Sequence, residues 1–420
     1  MQDSKVRSRL KAQLTKFCSE LSGGLSKPLG KFVAQMLYGI QSSQDVKLSN
    51  IGRALGEAIP LIRTEKRLSR NLKHAELEAE RTTKLVEMAS ARVYQDTVLA
   101  LELSDIRKEY ARKMEHLATV WDGSSGETHR GYWLLDVTGA EVSGSEIVPV
   151  CQKLFSVEAE QFRSENAEIL AMVDQVNQRL AGRGIWTMDR GCDRKKLLEP
   201  LLDKHLRFVI RATGERAVLD RRGRTRSVAE VGIGCRLRHQ ARVVRIDKGQ
   251  ERTYQLRYGA EPIRLVGRDE QLWLVVIASF GEQPILLLTN LRLRARDSEN
   301  VWWAARIYWT RWKIEETFRF IKQSYNLEDI RVLKWRRLKN LVVLVTAAAY
   351  FAATYLGQQM KLRILAEKLL VISQRFFGIP PFRFYALADG IRRLLSGSAF
   401  QPPQESPPDP QLELALIWPN

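Results

Sequence analysis

Cysteine and histidine are scarce in this sequence. Its 420 residues include four Cys (Cys18, Cys151, Cys192 and Cys235) and five His (His74, His116, His129, His205 and His239). None stand at the paired spacing of a zinc ligand set, and no His-x-x-x-His or His-Glu-x-x-His pattern occurs. This argues against a His/Cys zinc site and against a disulfide framework, and leads us to expect reduced thiols in a cytoplasmic protein. No charged start runs into an apolar segment and a small-residue cleavage site. Long apolar runs are also missing. The longest, from Leu341 to Leu356, is interrupted by two Thr and is shorter than the roughly 20 residues of a membrane span, so a buried core helix and no membrane partner are expected. No P-loop and no Gly-x-Gly-x-x-Gly occur, so the chemistry needs no nucleotide. Acidic residues are few beside basic ones: 48 Asp and Glu against 67 Lys and Arg, a net charge of +19. A surplus of that size favours a polyanion, above all nucleic acid. Hydrophobic residues make up 45% of the chain, ample for a globular protein of two or three domains.

The first 92 residues read as helices. Apolar residues at Phe32, Val33, Met36, Leu37 and Ile40 form a helical stripe. Ser49 suits the cap of a short helix from Asn50 to Glu57, Pro60 breaks the chain, and a basic helix from Arg63 to Leu72 carries Arg63, Lys66, Arg67 and Arg70. A short helix, a break and a basic helix resemble a helix-turn-helix that reads DNA. Residues 93–340 alternate in type. Thr97–Ser104 and Tyr132–Val137 read as strands, Ser164 caps a helix running to Leu180, Ile185–Met188 is a short buried strand, Arg194–His205 is a helix and Leu206–Ala212 a strand. That is the βαβ pattern of an α/β domain with some parallel pairing. About 214–292 reads as a β-rich insertion, in which Arg221, Arg222, Arg224 and Arg226 crowd one turn. A long helix capped by Asp297 or Ser298 runs through Lys322, C-terminal helices occupy 341–395, and a Pro-rich tail, expected to be loose, covers 396–420.

The segment YWTRWKIEETFRFIK, residues 308–322, carries the chemistry. Tyr308, Arg311, Glu315 and Lys322 fall at offsets 0, 3, 7 and 14. Each step of seven drifts only about 20° on a helix, so the four share one stripe, with Arg319 beside it. Ile307, Ile314, Phe318 and Ile321 face the other way. A carboxylate between cations can hold a divalent ion while Arg and Lys bind phosphates, although a surface salt-bridge face has the same spacing.

The order Tyr, two residues, Arg, three, Glu, six, Lys, followed by the remainder of IEETFR and preceded by ILLLTNL, resembles the helix signature of a family of bacterial insertion-sequence transposases. The arrangement of segments is similar from about residue 30 to 360. The resemblance implies an α/β, RNase H-like catalytic core with a β-rich insertion, preceded by an all-helical DNA-binding domain and followed by C-terminal helices. It also implies a DDE acidic triad working with two Mg²⁺ (or Mn²⁺) ions, double-stranded DNA (element ends and target) as substrate, and a homodimer on paired ends in a bacterial, nucleoid-associated setting. Glu315 matches the third acid. Asp189, at a strand end in the turn DRGCD, matches the second, while Asp193 suits a helix cap. The first acid departs from the family: the strand LALELSDIRK offers Glu102 where the family has Asp, with Asp105 beyond it and Asp136 in YWLLDV as a further candidate. The expected metal ligands are Glu102, Asp189 and Glu315; Tyr308, Arg311, Arg319 and Lys322 are expected to hold the DNA end. Trp273, Trp302 and Trp303 are candidates to support a flipped base, with core packing as their alternative role. A nuclease that does not join, and a DNA-binding descendant of a transposase that has lost activity, are the alternative readings.

Overall fold

A computed structural model of the chain describes residues 3–123, 126–142, 146–247, 250–357, 360–373 and 384–400. Five helices come first: α1 (Asp3–Leu21), α2 (Lys27–Ser43), α3 (Leu48–Leu55), α4 (Leu61–Asn71) and α5 (Leu77–Ser90). The short helix starts earlier than expected. Its cap position is Lys47 rather than Ser49, and it stops where Gly56 turns left-handed (φ 63°) and its N–H reaches the Arg53 carbonyl. On α4, Arg63, Lys66 and Arg70 are exposed, whereas Arg67 is committed to Glu57 through two contacts of 2.7 and 2.8 Å.

Next come β1 (Val98–Arg107), β2 (Ala118–Asp122), β3 (Glu127–Ala140), β4 (Ile147–Phe155), α6 (Glu165–Leu180), β5 (Ile185–Met188), α7 (Lys195–Asp203) and β6 (Phe208–Arg211). Ser164 caps α6 by accepting from the Ala167 N–H at 3.1 Å. Asp193 does not cap α7. Its carboxylate is taken by the Thr213 N–H and hydroxyl at 2.6 and 2.9 Å and by the Arg216 guanidinium. Strands β7 (Ala217–Leu219) and β8 (Thr225–Ser227), the short helix α8 (Val228–Gly234), then β9 (His239–Asp247), β10 (Gln250–Leu265), β11 (Gln271–Ala278) and β12 (Ile285–Thr289) follow.

These strands join one mixed sheet in the order β2-β3-β1-β5-β6-β12-β11-β10-β7-β8, with β4 also paired to β3 and β9 to β10. β1 runs antiparallel to β3 and parallel to β5, and β5 runs parallel to β6. The β-rich stretch is therefore continuous with the sheet of the α/β core, because β12 pairs directly with β6.

The strand alternation divides the core between the two faces of the sheet. Val98, Ile185, Val209, Val275 and Leu287 pack in one cluster with Val301, Ala304 and Ile307. Leu99, Leu101, Trp186, Met188, Phe208 and Ile210 belong to another. The first cluster is covered by α9 (Ser298–Thr310), which Asp297 caps by accepting from the Asn300 N–H at 3.1 Å. α10 (Trp312–Ser324), α11 (Trp335–Ala353), α12 (Met360–Ser373) and α13 (Phe384–Leu395) complete the described elements. The apolar run forms most of α11, and nearly all its residues are buried. No described helix is long and apolar enough to cross a membrane. Most of the expected tail, residues 401–420, lies outside the described residues.

Candidate active site

Strand register brings the acids together. Ala100 pairs with Thr187 in the parallel β1–β5 ladder. Two residues further on, Glu102 and Asp189 continue on the same side of their strands, because Asp189 keeps an extended backbone (φ −76°, ψ −178°). That side is the one α9 covers. Gly191 leaves room for the Asp189 carboxylate, since a Cβ at position 191 would stand 3.2 Å from Oδ1.

The expected single helix from 297 to 322 is two helices meeting at Arg311. The Thr310 hydroxyl bonds to the Arg306 carbonyl four residues back at 2.8 Å, a competition for backbone acceptors that bends helices. The junction aims Arg311 at the sheet. Its guanidinium forms an ion pair with Glu102 through Nη1, and Nη2 reaches Glu315 Oε1 at 3.1 Å. The Arg311 side chain is only 9% exposed, Glu102 22% and Glu315 48%, so Arg311 seals the inner side of the site while Glu315 stands at its mouth. Tyr308 is buried beneath, with the Arg311 guanidinium carbon 5.7 Å from its ring centroid.

The electrostatics follow from this packing. Burial lifts the Glu102 carboxyl to about 7; Arg311 pulls it down, and the charges of Glu315 and Asp189 push it up. Burial opposes the charge on Arg311, but Glu102, Tyr308 and Glu315 outweigh it and raise its pKa. Asp189 and Glu315 thus lie within electrostatic range of Glu102, and Arg311 neutralises part of the charge of Glu102 and Glu315.

Asp105 stands an odd number of residues from Glu102 and pairs instead with Lys322 at 3.6 Å, which also reaches Glu328 at 3.5 Å. Arg319 is exposed and bonds to Glu316 at 2.7 Å. A cavity of about 590 Å³ opens beside Glu102 and Glu315, with Arg319, Lys322 and Asn326 on its wall. The side chains of Ile314 and Phe318 lie outside the described residues, and Ile307 and Ile321 are buried. Trp302 packs against Tyr258 and Trp309 with ring centroids 4.9 Å apart in each case, and Trp273 and Trp303 are half-buried in the same cluster.

Asp136 is a candidate acid in the sequence, but the row it forms behind Glu102 is visible only in the fold. Glu102 on β1, Asp136 on β3 and Gln152 on β4 are direct cross-strand partners. Asp136 is fully buried; it accepts from the Thr138 hydroxyl at 2.9 Å, and its Oδ1 has no hydrogen-bond partner among the described residues. Burial raises its pKa to about 7, Thr138 and Gln152 lower it, and the Glu102 charge raises it. Thr346 of α11 donates to Gln152 Oε1 at 2.8 Å. The sequence signal for the row is Asp136 interrupting an apolar strand; β4 carries no strand alternation, since nearly all its residues are buried.

Among the described residues, no three His, Cys, Asp or Glu side chains stand close enough together to hold a metal ion. The donor chemistry is nevertheless of the right kind, since carboxylates such as Glu102, Asp189 and Glu315 supply the hard oxygens that Mg²⁺ and Mn²⁺ take.

The fold and site define an α/β protein with an acidic, arginine-braced centre on a mixed sheet. Residues 161–351 match the family model described as the transposase DDE domain. The matched span includes Asp189 and Glu315 and begins beyond Glu102. No curated protein matches the chain. Among solved structures, a cryo-EM structure of a piggyBac transposase synaptic complex with hairpin DNA is similar at 10% sequence identity, covering 98% of this chain and 83% of that one, with a TM-score of 0.47.

Proposed function

We propose that the chain is a DDE transposase of the bacterial insertion-sequence type with the Tyr-Arg-Glu-Lys signature. It cuts element ends and joins them to target DNA by phosphodiester hydrolysis and transesterification. The observation that carries this reading is Arg311 forked between Glu102 and Glu315, with Asp189 within electrostatic range of Glu102; Asp189 and Glu315 lie inside the span that matches the DDE domain. The strand order supports an RNase H-like core: β4, β3 and β1 antiparallel, then β5 and β6 parallel to β1.

In this reading Glu102, Asp189 and Glu315 hold two Mg²⁺ (or Mn²⁺) ions. When bound, such a pair activates the attacking oxygen and stabilises the leaving one. Arg311 orients Glu102 and Glu315 and keeps their charges compatible until the ions and DNA arrive. Tyr308 supports Arg311 from below. Arg319 and Lys322, on the cavity wall, meet the phosphates on either side of the cut. Double-stranded DNA is the partner, two copies act on paired ends, and the protein works in the bacterial cytoplasm on the nucleoid.

The test replaces Glu315 by Gln, which keeps size and removes charge. Mg²⁺-dependent cleavage of element-end DNA is expected to fall at least about 100-fold; undiminished cutting rejects the assignment. One observation favours a second reading, a DNA-binding descendant without catalysis: Glu102 is longer than the family's Asp and is already ion-paired to Arg311. Under that reading the chain is inert and Glu102→Asp gains cleavage. Under the first, the natural chain already cuts. A nuclease differs from both by cutting without strand transfer.

A further inference from the structure

A second concentration of charge lies far from the acids. β7 and β8 form one end of the sheet and are joined by a turn in which Gly223 adopts φ 77°. Arg221, Arg222, Arg224 and Arg226 on this hairpin are exposed, as are Arg236 and Arg238 just after α8. A cavity of about 260 Å³ opens between the two groups.

Three acids, Asp220, Glu230 and Glu261, line the cavity against the six arginines, and the first two are spent on structure. The Asp220 carboxylate accepts from the Arg222 and Arg224 N–H groups at 2.8 and 3.0 Å and from the Arg224 guanidinium at 3.0 and 2.9 Å, with Arg226 at 3.6 Å. It pins the turn and aims two arginines. The Glu230 carboxylate closes the capping box of α8 on the Ser227 N–H at 2.8 Å. Arg221, Arg222, Arg236 and Arg238 have no ion-pair partner among the described residues. Arg221, Arg236 and Arg238 line the cavity and Arg222 stands on the same hairpin as Arg221; such unpaired guanidiniums repel each other unless an anion joins them, and their planar forks suit phosphate oxygens.

Position indicates which anion. From β1, which bears Glu102, to β8 there are seven strand-to-strand steps. At about 4.8 Å each this is about 34 Å along the sheet, close to one turn of B-DNA. We propose that this arginine edge is a second DNA contact, gripping duplex phosphates about one helical turn from the cut. The proposal rests on the transposase reading and adds a site to it.

The test compares the natural chain with a variant carrying Arg221→Ala, Arg222→Ala, Arg236→Ala and Arg238→Ala, using anisotropy of a labelled 40-bp duplex at a series of salt concentrations. Each phosphate contact contributes about 0.9 to the slope of log affinity against log salt, so loss of four contacts is expected to shrink the variant's slope by about 3.6. The four Arg→Lys changes are expected to keep most of the slope. An unchanged slope in the Ala variant, while the natural chain binds and cuts, overturns this inference alone; it does so equally if the variant has lost binding to a poly-glutamate peptide. Absence of both binding and cutting in the natural chain overturns the transposase reading as well. The four cysteines are buried, so an iron-EDTA group can be tethered selectively at Arg222→Cys. Nicks about 10 bp from the active-site cut are expected, and nicks clustered at the cut itself overturn the geometry.

Discussion

The type of Arg311 does not by itself fix its role. A guanidinium suits phosphate, yet this one is buried and forked between Glu102 and Glu315. Asp136 is the opposite case, a buried carboxyl with no cation paired to it among the described residues. Its pKa rises from 3.8 to about 7, first because of burial. A raised folded-state pKa stabilises fully below the unfolded value and loses that contribution as pH climbs through the folded one. Asp136 therefore draws stability away between about pH 4 and pH 7, at up to about 1.4 kcal/mol per pH unit. Asp136→Asn cannot ionise. Urea unfolding at pH 5 and pH 8 is expected to show the variant gaining on the natural chain by on the order of 2 kcal/mol at the higher pH. An equal difference at both pH values contradicts the account.

At the scale of elements, the close approach of α2 and α3 depends on a missing side chain. A Cβ at Gly39 would meet Ile51 Cγ2 at 2.5 Å and the Ile51 carbonyl oxygen at 3.2 Å. The flexible methyl can move but the backbone oxygen cannot, so Gly39→Ala must push α3 outward. Overpacking of this kind costs about 1–3 kcal/mol. α4 packs against α3 and carries the exposed Arg63, Lys66 and Arg70. The variant is expected to unfold at lower denaturant and to bind duplex DNA more weakly while retaining Mg²⁺-dependent cutting at high DNA concentration. Unchanged stability would mean that the two helices are not in contact as described.

For the whole molecule, the helical start and the C-terminal helices share one core. Phe17 of α1 packs against Tyr350, Phe351 and Tyr355 with ring centroids 6.1, 5.4 and 5.0 Å apart. Gln41 of α2 donates to the Ala348 carbonyl at 2.7 Å, and Tyr38 donates to the Ser398 carbonyl at 2.5 Å. A boundary at residue 92 therefore marks a change of element type rather than a break in packing. Removing residues 1–92 uncovers apolar faces of α11 and α13, and the remainder is expected to aggregate or to bind a hydrophobic dye strongly. A soluble, cooperatively unfolding fragment would show two independent domains.

Much of the local structure was legible because it depends on neighbours in the chain. The Ser164 cap, the strand Ile185–Met188 before the DRGCD turn and the apolar helix after Leu341 all follow from spacing and capping chemistry. So did the basic surplus and the residues from which a site could be assembled. Other features required the fold. β4 lacks a clean alternation because nearly all its residues are buried, and that hid Gln152 and the row through Asp136. The continuity of the β-rich stretch with the core rests on β12 pairing with β6 across some eighty residues. The turn at Arg311, and with it the choice of Glu102 over Asp105 as that residue's partner, was settled by strand parity and helix bending. A helical stripe gives residues a common direction, but only the register of β1 against β5 determines which acids they meet.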